Sequence, residues 1–187
     1  RLRIMLCQMP RAHASVPRYL PDRPLPAYAF VPGLSLHPRK PGGHAHGQPE
    51  EEAAILHPDR PRDCRTYLRG LDLFNHGYYW EAHEAWEALW RDAQEPAPKA
   101  LLQGLIRLAA AGIKLRQGLA DNVRSHAQAA LALFAHAQQH AAGPRLCGLD
   151  LSTLQALAQQ VATQPPSPQA QAPAAVRIVF PQPLRLA

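Results

Sequence analysis

The chain has 187 residues, of which 47% are hydrophobic and 18% charged, and its formal net charge is +6. A chain of this length supplies one sizeable hydrophobic core only if its Pro-rich ends are left out. Residues 63–161 carry nine basic and nine acidic side chains, so the net charge and 17 of the 20 prolines lie in the flanks. A neutral central segment with basic ends makes a nucleic-acid-binding domain unlikely.

The three cysteines and the hydropathy pattern indicate where the protein resides. Three is an odd number, and no paired spacing indicates a disulfide framework or a cysteine zinc site, so a reducing compartment is the simpler setting. No apolar run approaches the roughly 20 residues of a membrane span. We therefore expect a cytoplasmic protein without a membrane partner.

The N-terminal third lacks sustained periodicity and is expected to be irregular. We expect residues 1–24 to be disordered or an over-extended start, and residues 25–62 to form an extended arm that packs on a helical domain. Pro and Gly fix turns in this arm and leave His37, His44 and His46 on a loop. The loop is either a solvated linker or a cover that brings His44 and His46 over a groove of the domain.

Helical periodicity begins at Asp63. The pattern predicts an all-α fold, a compact bundle of four to five helices over residues 63–161, with an irregular Pro-rich N-terminal arm and a Pro-rich C-terminal tail. Residues 162–187 are read as a Pro/Gln/Ala-rich linker and an extended tail that packs back on the bundle. The predicted helices are 64–76, 79–91, 99–117, 121–140 and a short fifth helix, 153–161, capped by Ser152.

Local signals inside this segment predict which side chains face inward. Gly77 marks a tight turn between the first two helices. In the first helix the apolar spacing places Arg65, Arg69 and Asp72 on the outside. The third helix has so wide an apolar face that it should be central and largely buried.

The second helix lies in the stretch LFNHGYYWEAHEAWEALWR, Leu73 to Arg91. At about 100° per residue, Trp80, His83, Glu84, Glu87 and Arg91 share an arc of roughly 100°. Indole rings flank this arc, whereas the charged face of a surface helix normally meets water. The pattern therefore predicts a groove walled by aromatic rings and the third helix.

The polar strip of the third helix is Gln103, Arg107 and Lys114. If the strip meets the second helix, Arg107 or Lys114 can neutralise Glu84 or Glu87, and Gln103 can bond His83. The alternative is a strip that faces water, as Lys and Arg usually do. His126 on the fourth helix is read as a packing residue rather than a ligand.

The motif FNHGYYWEAHEAWEALW, followed by LLQGLIRLAAAGIKLRQG, resembles the domain-of-unknown-function family three-zero-nine. The arm sequence VPGLSLHPRKPGGHAHG resembles the N-terminal extension of one branch of that family. The resemblance implies a small all-α bundle and no established activity. Matching motif positions are held by Phe74, Asn75, Gly77, Tyr79, Glu81, His83, Glu84, Glu87, Trp90, Gln103, Gly104, Leu105 and Ile106.

The chemistry of the motif leaves three functional hypotheses open, and the sequence does not decide whether a reaction is catalysed. The first is a binding module for a small cationic or amide ligand or a peptide, with homo-oligomer formation left open. The second is a divalent-metal-dependent hydrolase with His83, Glu87, His44 and His46 as candidate ligands and Glu84 as candidate base. The third is a buried polar network that fixes helix register. The predicted groove comprises Asn75, Tyr79, Trp80, His83, Glu84, Glu87, Trp90, Gln103, Arg107 and Lys114.

Overall fold

The computed structural model describes residues 16, 18–48, 55–166 and 175–187, and within these ranges the chain is mainly helical. This confirms the predicted all-α bundle. None of the helices in the described ranges is long and apolar enough to cross a membrane. The elements are a 3-10 turn Pro61–Asp63, helices α1 (Arg65–Asn75), α2 (Tyr79–Asp92), α3 (Pro96–Gln117), α4 (Ala120–His140) and α5 (Leu151–Thr163), and strands β1 (Arg145–Leu146) and β2 (Leu149–Asp150).

The helices pack in chain order, with α3 against both α2 and α4, and α5 against α4. The wide apolar face of α3 is buried as predicted, and its glycines let aromatic rings approach the backbone. A Cβ atom on Gly104 would lie 2.4 Å from the Phe134 ring, and one on Gly112 would lie 2.6 Å from the Tyr79 ring. The prediction begins α3 at Lys99, but the helix begins at Pro96, since a proline in the first turn loses no helical hydrogen bond.

The turn between α1 and α2 depends on Gly77. Its φ of 88° lies in the left-handed region, and the Tyr78 amide donates to the Leu73 carbonyl at 2.9 Å to close α1. A Cβ atom here would also lie 2.5 Å from the Arg177 carbonyl oxygen of the C-terminal chain. A glycine is therefore required both by the backbone angle and by the close approach of a distant segment.

A two-stranded hairpin that was not predicted from the sequence precedes α5. Arg145 pairs with Asp150, and the turn residues Cys147 and Gly148 both have positive φ, 48° and 76°. This is the geometry that tight two-residue hairpins require. The predicted cap of α5 was wrong: Asp150, not Ser152, accepts the Thr153 amide at 2.8 Å, so α5 begins at Leu151.

The N-terminal chain docks on α1 and buries charges that the helical pattern places outside. The fully buried Asp72 carboxylate accepts the amides of Tyr19 (2.7 Å) and Leu20 (2.9 Å). Arg69, 8% exposed, donates to the carbonyl of Pro24 at 2.8 Å. The prediction that Arg69 and Asp72 face outward was wrong, and residues 18–24, expected to be disordered, contact the bundle. The remaining start, residues 1–15 and 17, and linker residues 167–174 lie outside the described ranges.

The C-terminal tail, residues 175–187, is extended and lies across the α1–α2 turn. The Asn75 side chain donates to the Leu184 carbonyl (2.8 Å) and accepts from the Leu184 amide (2.7 Å), while the Tyr79 hydroxyl accepts from the Val179 amide (2.8 Å). Phe180 is buried and stacks on Phe74. The tail is thus part of the packed structure.

The approach of Tyr79 to Gly112 yields a prediction about stability. Gly112→Ala should destabilise the protein by about 1–3 kcal/mol, because the added methyl group forces the Tyr79 ring or α3 to move, even though alanine favours helix. Urea denaturation measures the change. Gly143→Ala is the matched control, since a Cβ atom there meets nothing within 4 Å. Equal stability of the two variants would contradict the close packing of α2 on α3.

Candidate functional site

A cleft of about 240 Å³ lies between the N-terminal chain and the outer faces of α1 and α2. We call it the arm cleft. The third helix does not wall this cleft as predicted, since no residue of α3 belongs to its lining. Its polar and aromatic lining residues are Arg23, Arg39, His44, Gln48, Thr66, Arg69, Trp80, Glu81, Glu84, Glu87 and Arg91.

Glu81 links the arm to α2 through one of its carboxylate oxygens, and the other oxygen has no hydrogen-bond partner in the described structure. The residue is 8% exposed, its Oε1 accepts the Phe30 amide at 2.9 Å, and His44 Nε2 lies 3.2 Å from the same oxygen. Its Oε2 is buried and has no hydrogen-bond partner among the described residues. A buried carboxylate oxygen without a donor is costly, so Glu81 has unused capacity to accept a hydrogen bond.

Glu84, one turn further along α2, lines the same cleft. It forms no hydrogen bond or ion pair within the described part of the chain. Burial raises the pKa of the Glu84 carboxyl above its ordinary value of 4.5; His83 partly offsets this effect, and the neighbouring Glu87 adds to it. The charges of Arg39 and Arg91 also lower the pKa, so the fold carries a half-buried acid whose ionisation it compensates only in part.

His83, Glu84 and Glu87 form a cluster of potential metal ligands. One ligand atom from each lies within 4.8 Å of the others. Glu87 is also paired internally: His83 Nε2 lies 3.5 Å from its Oε2, and Arg91 donates to its Oε1 at 3.2 Å. The Nδ1 atom of His83 is buried without a hydrogen-bond partner in the described structure. Of the two acids in this cluster, Glu84 is the one without such a pairing.

An aromatic cluster forms one end of the arm cleft. The Trp80 ring meets Phe30 edge-on at 5.0 Å and His37 at 5.4 Å between ring centroids. Tyr28 packs on the His44 ring at 4.6 Å. These contacts hold the arm over α2, so the cleft has an indole wall whose position the arm determines.

Arg69 supplies positive charge at the α1 side of the cleft. Its guanidinium donates to the carbonyls of Arg23 (3.4 Å) and Pro24 (2.8 Å), and it has no carboxylate partner in the described ranges. Burial, followed by the charges of Arg23 and Arg18, lowers the pKa of Arg69 to about 10. Because that value is still well above neutral, the group remains charged and draws the chain onto α1.

The structure divides the predicted site residues among several locations. Trp80, Glu84 and Glu87 line the arm cleft with His44, and His83 adjoins it. Asn75 and Tyr79 hold the tail instead, and Trp90 packs beside the Lys99 ammonium, 5.8 Å from its ring centroid.

The predicted contacts of the α3 strip with α2 are not formed. Glu87 is paired with Arg91 rather than with Arg107 or Lys114; Arg107 is exposed, Lys114 donates to Gln117 at 2.9 Å, and Gln103 is half-buried. On α4, burial lowers the pKa of His126, and the charges of Arg107, Lys114 and His83 lower it further. The strip therefore lies near His126, away from the cleft.

The predicted histidine ligands are also separated. His44 meets Glu81, whereas His46 Nδ1 lies 3.2 Å from the Arg39 carbonyl oxygen. Neither belongs to the cluster of His83, Glu84 and Glu87.

Sequence reasoning missed several residues of the cleft lining, among them Glu81 and Arg69. Glu81 lies three positions before Glu84, so the i, i+3 spacing could have placed both on one face. Arg69 carries no such signal, because α1 is covered by a chain segment that has no periodic pattern.

The raised pKa of Glu84 predicts a pH-dependent effect of Glu84→Gln on stability. As the pH rises above 4.5, the unfolded chain ionises Glu84 more readily than the folded chain does, so folding becomes less favourable. Glu84→Gln removes this penalty. We expect it to raise Tm at pH 7 relative to wild type and to lose the advantage below pH 4. Thermal unfolding across this range measures the effect. An unchanged or lower Tm of the variant at pH 7 would contradict a net destabilisation of the Glu84 carboxylate by burial.

Comparison with known proteins supports the family resemblance of the central segment. Residues 67–126 match the family model described as Domain of unknown function (DUF309), which covers 60 of the 187 residues. The matched segment runs from α1 into α4 and includes Glu81 and the His83, Glu84 and Glu87 cluster. No curated protein and no solved structure matches the chain. The match over residues 67–126 confirms the resemblance to this family that the motif indicates.

Proposed function

We propose that the protein is a binding module that takes a small organic cation, an ammonium or guanidinium compound, in the arm cleft. The observation that supports this most directly is Glu81, a carboxylate more than nine-tenths buried in the cleft lining, whose Oε2 has no partner in the described structure. A ligand N–H donor at this oxygen would relieve the cost of its burial.

The other unsatisfied groups of the cleft favour the same ligand chemistry. Glu84 lines the same wall and is destabilised as a carboxylate by burial, so a bound cation would compensate its charge. The arginines of the lining already take part in interactions: Arg91 is paired with Glu87, Arg69 donates to arm carbonyls, and Arg23 and Arg39 each have an interaction as well. The acceptors are thus the groups with capacity left.

The size and aromatic wall of the arm cleft set limits on the ligand. Its volume of about 240 Å³ is below the roughly 300–1,000 Å³ of sites for drug-sized compounds, so the ligand should be small. The Trp80 indole lies in the same lining as both acids and offers a ring face or edge to a cation. Carboxylates beside an indole suit an alkylammonium or guanidinium group.

Glu84→Gln tests the proposal in a binding assay. Putrescine, agmatine and methylamine, all of which carry N–H donors and are cations at pH 7.5, are titrated into the full chain by calorimetry at that pH. We expect at least one to bind, and Glu84→Gln to weaken it about tenfold or more, because a charge-assisted hydrogen bond contributes about 1.5–3 kcal/mol. Affinity should also fall in acid, as the pH passes through the raised pKa of Glu84 and protonation removes its charge.

Glu95→Gln is the matched control, since Glu95 is an exposed acid outside the cleft lining and the substitution removes the same charge. If all three probes fail to bind, or if both glutamine variants bind as wild type does, the proposal is wrong. A loss of binding in both variants would indicate an effect of net charge rather than a site, and would also contradict it.

The second candidate is a divalent-metal site, with hydrolysis as its consequence. It is favoured by the convergence of His83, Glu84 and Glu87 ligand atoms within 4.8 Å. Three protein ligands leave coordination positions for water and substrate, which is the arrangement of catalytic metal sites. The pairing of Glu87 with Arg91 counts against it, because the metal would compete with a guanidinium already 3.2 Å away. We therefore place it second.

Metal titration distinguishes this candidate, provided that surface histidines are removed first. His136 and His140, one turn apart on α4 with ring centroids 4.3 Å apart, could chelate zinc on the surface, so the parent protein carries His140→Ala and no His tag. If the cluster is a metal site, ZnCl₂ or MnCl₂ should bind this parent stoichiometrically, and His83→Ala should abolish it. An absence of metal binding in the parent, or unchanged binding with His83→Ala, would exclude this candidate.

A further inference from the structure

The C-terminal tail occupies a groove that recognises backbone rather than side chains at most positions. We call this the tail groove and define it by Asn75, Gly77, Tyr79 and Arg116. Asn75 brackets Leu184 with one donated and one accepted hydrogen bond, and the Tyr79 hydroxyl accepts the Val179 amide. Every residue except proline offers these backbone groups, so the contacts suit any extended peptide.

Two side chains of the tail provide the sequence-dependent contacts. The Phe180 ring lies 4.9 Å from Phe74 in a stacked arrangement and 5.3 Å from Tyr79 edge-on, and it is 6% exposed. Leu184, four residues later, is 3% exposed. Apolar anchors between backbone hydrogen bonds are the usual arrangement of a peptide-recognition groove.

Arg116 at the end of α3 is not satisfied by the tail. It is 2% exposed, and its Nη2 donates to the Ala175 carbonyl at 2.7 Å. Its Nε and Nη1 are buried and have no hydrogen-bond partner in the described ranges. Arg116 also lacks an ion pair in the described ranges, since no carboxylate there lies within bridging distance of its guanidinium. The Arg116 guanidinium thus donates to one carbonyl oxygen, although its planar array of N–H groups can bind both oxygens of a carboxylate.

We propose that the tail groove is a peptide-binding site for an extended segment that carries an acidic residue at the place of Ala175 and phenylalanine at the place of Phe180. The carboxylate of such a segment would meet the unused Nε and Nη1 donors of Arg116. The chain's own tail, which offers only a carbonyl there, is then a tethered occupant that a better-matched peptide in trans displaces. This site shares no residue with the arm cleft and does not depend on the proposed function.

Trans peptides test the proposal without changing the groove. Fluorescein-labelled 13-residue peptides of residues 175–187 are prepared with Ala, Glu or Gln at position 175 and are titrated by anisotropy. The protein is the full chain with Phe180→Ala, because a tethered tail competes at an effective concentration near millimolar. We expect the Ala175→Glu peptide to bind at least tenfold more tightly than the wild-type peptide, and the Ala175→Gln peptide to resemble the wild-type one.

Arg116→Gln in the same background should weaken binding of all three peptides, because the hydrogen bond to the carbonyl of residue 175 is lost. It should also remove the preference for the Glu peptide, so that the Glu and Gln peptides bind within about threefold of each other. Arg116→Lys, which keeps the charge but not the fork, should retain only part of the preference. A Phe180→Ala peptide should fail to bind any of the proteins. Equal affinity of the Glu and Gln peptides, a preference that survives Arg116→Gln, or no binding of any peptide would each overturn the proposal.

Discussion

The structure depends on hydrogen bonds from polar side chains of α1 and α2 to the backbone of extended chain. Extended backbone outside a sheet has amides without ladder partners, and a buried amide must find an acceptor. Asp72 supplies two such acceptors to the N-terminal chain, Glu81 one to the arm, and Asn75 a donor and an acceptor to the tail. These three side chains join chain segments that helix packing alone would leave unattached.

The arm cleft follows from this arrangement. It exists only where the arm lies over α2, and Glu81 belongs both to the attachment and to the lining. One oxygen of Glu81 accepts the Phe30 amide and lies 3.2 Å from His44 Nε2, whereas the other is buried without a hydrogen-bond partner in the described structure. The contact that attaches the arm therefore also positions a buried acceptor of the cleft lining. Under the proposed function, docking of the arm and binding of the cation would be coupled through this one side chain.

The sequence predicts the helices well because their apolar spacing records packing against one another. The buried face of α3 was predicted for the same reason, and the turn at Gly77 from the preference for glycine at a helix end. The burial of Asp72 and Arg69 was not predictable, because the segment that covers α1 has no periodicity from which contact could be inferred. The wall of the cleft was wrongly assigned to α3, because the arm likewise has no periodicity from which its contact with α2 could be inferred. Its true wall is the arm, whose turns are visible in the sequence but whose docking position is not.

The residues at matching motif positions separate into those the fold uses and those it leaves available. Phe74, Asn75, Gly77 and Tyr79 receive the tail, and Glu81 receives the arm, so packing explains each of them. Glu84 has no partner in the described structure, and burial disfavours its charge. A side chain whose charge is disfavoured by burial and only partly compensated by its neighbours is the kind that a binding or catalytic role retains at the expense of stability. Among the motif acids, Glu84 is therefore the residue whose presence packing explains least, and it lines the arm cleft together with Glu81.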